Sequence, residues 1–368
     1  MKSRFLLLVS LLAMTVGTAW GQAVLTLPSG NVSIGVGAFG ELGNCAGADC
    51  NSSNVAPGTP GLPANANQTA PYVGDAGNLG GLAYGIYLKS QNADSVTPGC
   101  FCEGWGAAYN GSVTGNSSND NGGNTNVTGV SFASTATTAT AVTKIGNLQV
   151  TQAYAPAPGA GGNWLFQDTV TMTNTGGAPD TNVSYGRSTD WDINPTEFNE
   201  IETLGGWGAT ALTYSVNNGF CADDPLALPT SCYAITTTTG SAWTDTDFTQ
   251  NGVADQGSSF VFNFGSLAPG GSTTFDIFYG AADNNADAVG ALTAVGAQVY
   301  VLGYASDGAG CSGTPCRDGA ANLNSGTWMF AFSGVGGTPI SVTPEPASLV
   351  LCGAGLFGLG LLRRRKKA

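Results

Sequence analysis

Two acidic stretches hold the residue types in this chain that could do chemistry. In Asp190-Trp191-Asp192-Ile193-Asn194-Pro195-Thr196-Glu197, two carboxylates two positions apart share one face of an extended chain, with an aromatic on the other face. Glu200 and Glu202 continue the pattern. Paired carboxylates can hydrolyse a glycosidic bond, one as acid and one as base or nucleophile. They can equally ligate calcium, or cap a turn at a strand end. The second stretch, Asp247 to Asp255, places oxygen-bearing Asp247, Thr249, Asn251 and Asp255 at relative positions 1, 3, 5 and 9, with Gly252 at 6. That is calcium-loop spacing: alternate residues turn inward and the glycine permits the sharp bend. Asp245 can add charge, but Ser258 stands where a bidentate acid belongs, and an acidic hairpin turn accounts for the same residues.

Composition removes other chemistries. There is no histidine, which excludes Ser-His-Asp and Cys-His catalysis and every His-ligated zinc or copper site. The only cations between residues 24 and 343 are Lys89, Lys144, Arg187 and Arg317, against all but one of the 24 acidic residues. Such a surface repels nucleic acid and attracts divalent cations. No cofactor other than calcium is implied. Trp105, Trp164, Trp191, Trp207, Trp243 and Trp328 could stack on sugar rings, although large aromatics also dominate sandwich cores.

The ends of the chain give its destination. Lys2 and Arg4 precede an apolar run, Phe5 to Val16, followed by small residues that offer cleavage after Gly21 or Ala23. Residues 1–23 therefore read as a signal peptide, whose run is shorter than the about 20 residues that span a bilayer. At the other end, Pro344-Glu345-Pro346 stands before the apolar stretch Leu349 to Leu362 and the cations Arg363, Arg364, Arg365, Lys366 and Lys367. The prolines keep their segment extended, the apolar run holds it in the bilayer, and the cations stop transfer with the body outside.

This order of parts resembles the PEP-CTERM tripartite sorting signal. The resemblance implies recognition at Pro344, Glu345 and Pro346 by an exosortase, with removal of the tail and transfer of the body from a membrane-tethered intermediate to the surface. A plain C-terminal anchor is the alternative, weakened by the glycines of the apolar run.

An exported chain with an even number of body cysteines is expected to form disulfides. Cys221 with Cys232, and Cys311 with Cys316, have the spacing of local bridges. Cys100 and Cys102 are too close to pair easily, so cross-links to Cys45 and Cys50 are expected. A four-cysteine zinc site is the alternative, with spacings unlike a zinc ribbon.

The elements that must position these residues are mostly strands. Period-two alternation marks Leu82 to Leu88, Leu148 to Tyr154, Trp164 to Asn174, Val183 to Arg187, Ala211 to Val216, Phe260 to Phe264, Thr273 to Tyr279 and Trp328 to Phe332. Gly111 to Gly123 reads as a surface loop, with a linker between two sheets as the alternative, and Asp287 to Leu302 as the one helix. The expected fold is mostly β: a β-sandwich body over 24–335, as one large or two small domains, then a linker over 336–343 and the sorting segment over 344–368. A signal helix and a C-terminal hydrophobic helix would flank it. Asn174-Thr175-Gly176 after a strand, with Leu267-Ala268-Pro269-Gly270-Gly271-Ser272 much later, resembles the Ig-like modules of bacterial surface proteins. There the second piece is a turn before an edge strand. A jelly-roll arrangement fits the same pattern.

The functional expectation is a non-enzymatic structural or interaction protein of the cell surface or exopolysaccharide matrix. A secreted carbohydrate-binding or carbohydrate-active protein is the second reading. Ice binding is a third, because the threonine runs 135–140 and 236–239 can order water and PEP-CTERM-type tails occur on some ice-binding proteins. No repeat of fixed period accompanies those runs.

Overall fold

The computed structural model describes residues 23–43, 84–96, 103–118, 124–193, 196, 199–206, 208–219, 224–227, 249–306 and 326–341, with the backbone alone over 249–254. Residues 1–22 of the expected signal peptide, the tail from residue 342 and all eight body cysteines lie outside these residues. So do the expected terminal helices, Asp247, Glu197, Trp207 and Trp243. Ala23, the last residue assigned to that peptide, is described and pairs with Val36. No helix among the described residues is long and apolar enough to cross a membrane.

Strands β1 (Ala23–Thr26), β2 (Val32–Val36), β3 (Ile86–Leu88) and β4 (Ala93–Asp94) form a four-stranded sheet in chain order. The others are β5 (Glu103–Tyr109), β6 (Val113–Ser118), β7 (Asn124–Thr125), β8 (Thr128–Ser134), β9 (Ala139–Ile145), β10 (Leu148–Pro156), β11 (Leu165–Asn174), β12 (Ser184–Asp190), β13 (Glu200–Gly205), β14 (Leu212–Val216), β15 (Thr249–Ala254), β16 (Gly257–Asn263), β17 (Ser272–Ala282), β18 (Val299–Ala305) and β19 (Thr327–Ser333). They form a six-stranded sheet, β14-β16-β12-β5-β6-β7, and a nine-stranded sheet, β15-β13-β18-β19-β17-β11-β10-β9-β8. Among the described residues none of the sheets closes into a barrel.

Side-chain alternation explains the packing. Along β9, β10 and β11 buried and half-buried residues alternate, so one face meets the core and the other meets water. The inner faces of the two large sheets meet through aromatics: Phe260 of β16 lies edge-on to Phe330 and Phe332 of β19, with ring centres 5.6 and 5.2 Å apart. Trp328 reaches the small sheet, its Nε1–H donating to Ile86 O at 2.9 Å.

β18 and β19 are buried on both faces. Val299, Val301, Phe330 and Phe332 face the aromatic core, while Tyr300, Leu302, Met329 and Ala331 face a second apolar cluster under α1 (Asn285–Ala294). Asn284 caps α1 by accepting the Asp287 N–H at 3.0 Å. The helix ends at Ala294, well short of Leu302. Gly296, at φ 65°, donates to Thr293 O while Ala297 donates to Leu292 O, the paired bonds of a Schellman stop. The β-prone Val-Tyr-Val-Leu run then enters the sheet, where it is buried on both sides.

Two other expectations are corrected. Residues 113–118, expected as loop, form β6, because pairing with β5 and β7 outweighs the weak strand propensity of Asn and Ser. The turn at Leu267–Gly271 and the end of β11 do meet: Asn174 Nδ2 donates to Leu267 O at 3.1 Å and to Ala178 O at 2.8 Å, and Oδ1 accepts the Gly176 N–H. The strand that follows, β17, is central in its sheet and not an edge, lying between β11 and β19.

Candidate functional site

Strand β12 ends at Asp190, and the chain stays extended enough for Asp192 N–H to donate to Ser95 O at 2.8 Å and Trp191 N–H to Gln256 O at 2.9 Å. Asp190 pairs with Gly257 at the start of β16, which brings Asp255, two residues earlier, beside it. Carboxylate oxygens of Asp190, Asp192 and Asp255 lie within 4.8 Å of one another. Asp190 and Asp192 are wholly buried, and Asp255 is half-buried. Trp191 and Ile193 turn the other way into the aromatic core, over Gly303 of β18. A Cβ at Gly303 would stand 3.0 Å from Ile193 Cδ1 and from Trp191 Cδ2, so the glycine makes room for both.

Glu200, the first residue of β13, is also buried. Its Oε1 accepts the Ile193 N–H at 3.2 Å, and its Oε2 has no hydrogen-bond partner. Glu202 lies further along β13 and accepts from Ser258 Oγ at 3.0 Å. Burial, then the negative charges of Asp192, Asp255 and Glu200, push the Asp190 carboxyl well above its ordinary range. Burial followed by Asp192 and Asp255 does the same to Glu200, while burial alone raises Asp255. At an effective dielectric of about 20, two carboxylates this close repel by roughly 3 kcal/mol. The one ion pair among the described residues lies elsewhere, between Arg187 and Glu103.

That ion pair sits at a second polar cluster in the core. Arg187 of β12 uses all five N–H donors: Nε to Glu103 Oε1, Nη1 to Gln152 Oε1 and Tyr185 OH, and Nη2 to Gly40 O and Tyr154 OH. Its guanidinium also lies 5.4 Å from the Tyr279 ring centre. Glu103 Oε2 accepts the Leu42 N–H, and its Oε1 also accepts from Tyr279 OH. The cluster ties β5 and β12 of one large sheet to β10 and β17 of the other, and to the turn after β2. Every guanidinium donor is satisfied and Arg187 and Glu103 have no exposure, so the cluster reads as a structural joint.

The structure thus joins parts of both acidic stretches. Asp190, Asp192 and Asp255 converge with Glu200 beside them, whereas Thr249 and Asn251 lie on β15, a strand paired with β13. Glu197 and Asp247 are outside the described residues. Trp105, Trp191 and Trp328 are buried, and Trp105 Nε1–H donates to Phe39 O at 3.0 Å. The Arg187 cluster was missed in the sequence, yet it left one signal. Leu148, Val150, Gln152 and Tyr154 are successive inward positions of β10, and an amide among them calls for a buried partner.

None of the curated proteins is significantly similar to this chain. Residues 342–366 match the family described as the PEP-CTERM protein-sorting motif. The chain therefore carries a PEP-CTERM sorting motif, the mark of an exported protein processed by an exosortase-type enzyme.

Proposed function

We propose that this protein is a structural or interaction component of the cell surface or exopolysaccharide matrix, delivered there by exosortase processing. The observation that carries the reading is the sorting motif at residues 342–366. Three features of the body support a role without turnover. There is no histidine, Asp190 and Asp192 are closed off from a polymeric substrate by burial, and Trp105, Trp191 and Trp328 are committed to the core. We further read the facing large sheets as a sandwich of Ig-like or jelly-roll type, stapled by disulfides among the eight body cysteines.

Intact mass and fractionation of the full chain, expressed with and without an exosortase, test this reading. Loss of the segment after Pro344-Glu345-Pro346 only when the enzyme is present, with the body at the surface or in the matrix, is the expected result. Retention of Leu349 to Ala368 in both hosts would make the tail a plain anchor and remove the basis for a matrix role. Turnover of any polysaccharide that is abolished by Asp192→Asn would shift the assignment to a carbohydrate-active protein.

A further inference from the structure

We infer that Asp190, Asp192, Asp255 and Glu200 form a divalent-cation site of the oxygen-only kind that takes calcium. The inference stands apart from the surface role proposed above.

Three carboxylates converge within 4.8 Å, and two of their residues are wholly inside the protein. The independent observation is Glu200. Its side chain is 0% exposed, the N–H of Ile193, next in the chain to Asp192, holds one oxygen, and the other oxygen has no partner. An orphaned carboxylate oxygen beside three more carboxylates is a concentration of buried negative charge that requires neutralisation. A divalent ion supplies it and gives the Glu200 oxygen a cation to bind.

The donor set selects the ion. Zinc and copper favour imidazole and thiolate, and this chain has no imidazole. Calcium takes six to eight oxygens, mixing carboxylates with carbonyls and water, and tolerates irregular geometry. Half-exposed Asp255 leaves a route for entry and for water ligands.

The ligands also have a common structural position. Asp190 ends β12 in the six-stranded sheet, Glu200 begins β13 in the nine-stranded sheet, and Asp255 lies on the link from β15 to β16, where the chain passes from one sheet to the other. A bound ion joins the two sheets at that crossing. An extracellular module of this type needs only about 10⁻⁴–10⁻³ M affinity to be filled outside the cell.

The test uses the full chain as its host exports it, stripped with EDTA and titrated with CaCl2 or TbCl3. Thermal unfolding should shift upward with millimolar calcium. Terbium should luminesce on tryptophan excitation through adjacent Trp191 and be displaced by calcium. Asp255→Asn, at the half-exposed ligand, should fold with unchanged circular dichroism and lose both responses. Asp192→Asn should lose them as well. Absence of both responses in the parent protein overturns the site, as does their survival in Asp255→Asn. MgCl2 matching calcium at equal concentration would overturn the assignment to calcium.

Discussion

Arg187 Nε donates to Glu103 Oε1 across β12 and β5, in a place where neither side chain has any exposure. Burial raises the Glu103 carboxyl, and the charge and hydrogen bonds of Arg187 offset part of that rise. The pair is thus held by geometry and by the tyrosines around it, and it stabilises only as a complete set.

Removing one partner should therefore cost much more than removing both. Arg187→Met leaves Glu103 buried without its cation and should destabilise the fold by about 3–5 kcal/mol in urea unfolding. Adding Glu103→Gln should restore part of that loss. A single-variant cost below about 1 kcal/mol would show that the cluster contributes little.

Stability should fall as pH rises. Burial pushes Glu41 from 4.5 to about 7, with a backbone hydrogen bond pulling it partly back, and Asp168 from 3.8 to about 8, with the charge of Arg187 pulling it partly back. Both groups hold protons more tightly folded than unfolded. Their contribution is complete below the unfolded values and is lost as pH rises through about 7 to 8. Chemical denaturation across that window should show a steady decline, and Asp168→Asn should flatten it. A stability that climbs from mildly acidic to alkaline pH would contradict this account.

Gly303→Ala places a methyl 3.0 Å from Trp191 and Ile193, on either side of Asp192 in the chain. The substitution should destabilise by about 1–3 kcal/mol and also weaken the calcium response, because the acidic residues ride on the segment it displaces. An unchanged calcium midpoint in this variant would show that the core and the acidic site are uncoupled.

Asn174 satisfies three backbone groups of two turns that are distant in sequence. Asn174→Ala should cost about 1–2 kcal/mol, since Ala178 O and the Gly176 N–H lose this partner while Leu267 O keeps the Asp180 N–H. The loss should appear as faster amide exchange at Gly176, whose N–H the side chain accepts. Exchange unaltered there would remove the side chain from the joint.

How much of this was legible in the sequence differs from residue to residue. Leu148 to Tyr154 and Trp328 to Phe332 announce strands because alternation survives wherever one face is wet or the two faces bury different partners. Weak intrinsic propensity hid β6: Val113 to Ser118 is a strand through its neighbours and not through its own residues. The helix was overextended because Val299 and Leu302 fit its apolar stripe by spacing, while the stop at Gly296 depends on a left-handed backbone that spacing does not encode. The two acidic stretches were visible separately. Their meeting depends on the pairing of Asp190 with Gly257, a contact between strands far apart in the chain.

Arg187 has a further consequence for how the protein assembles. A slip of β12 by one residue exchanges the two faces of the strand. It would place Gly186 or Ser188 in the polar cluster between the sheets and turn the guanidinium to the opposite face, away from all five acceptors. Neighbouring apolar strands can tolerate near-misses of greasy side chains, but a five-pronged donor accepts one alignment. A slipped strand would leave the guanidinium without these acceptors, so Arg187 favours the native alignment over its one-residue neighbours.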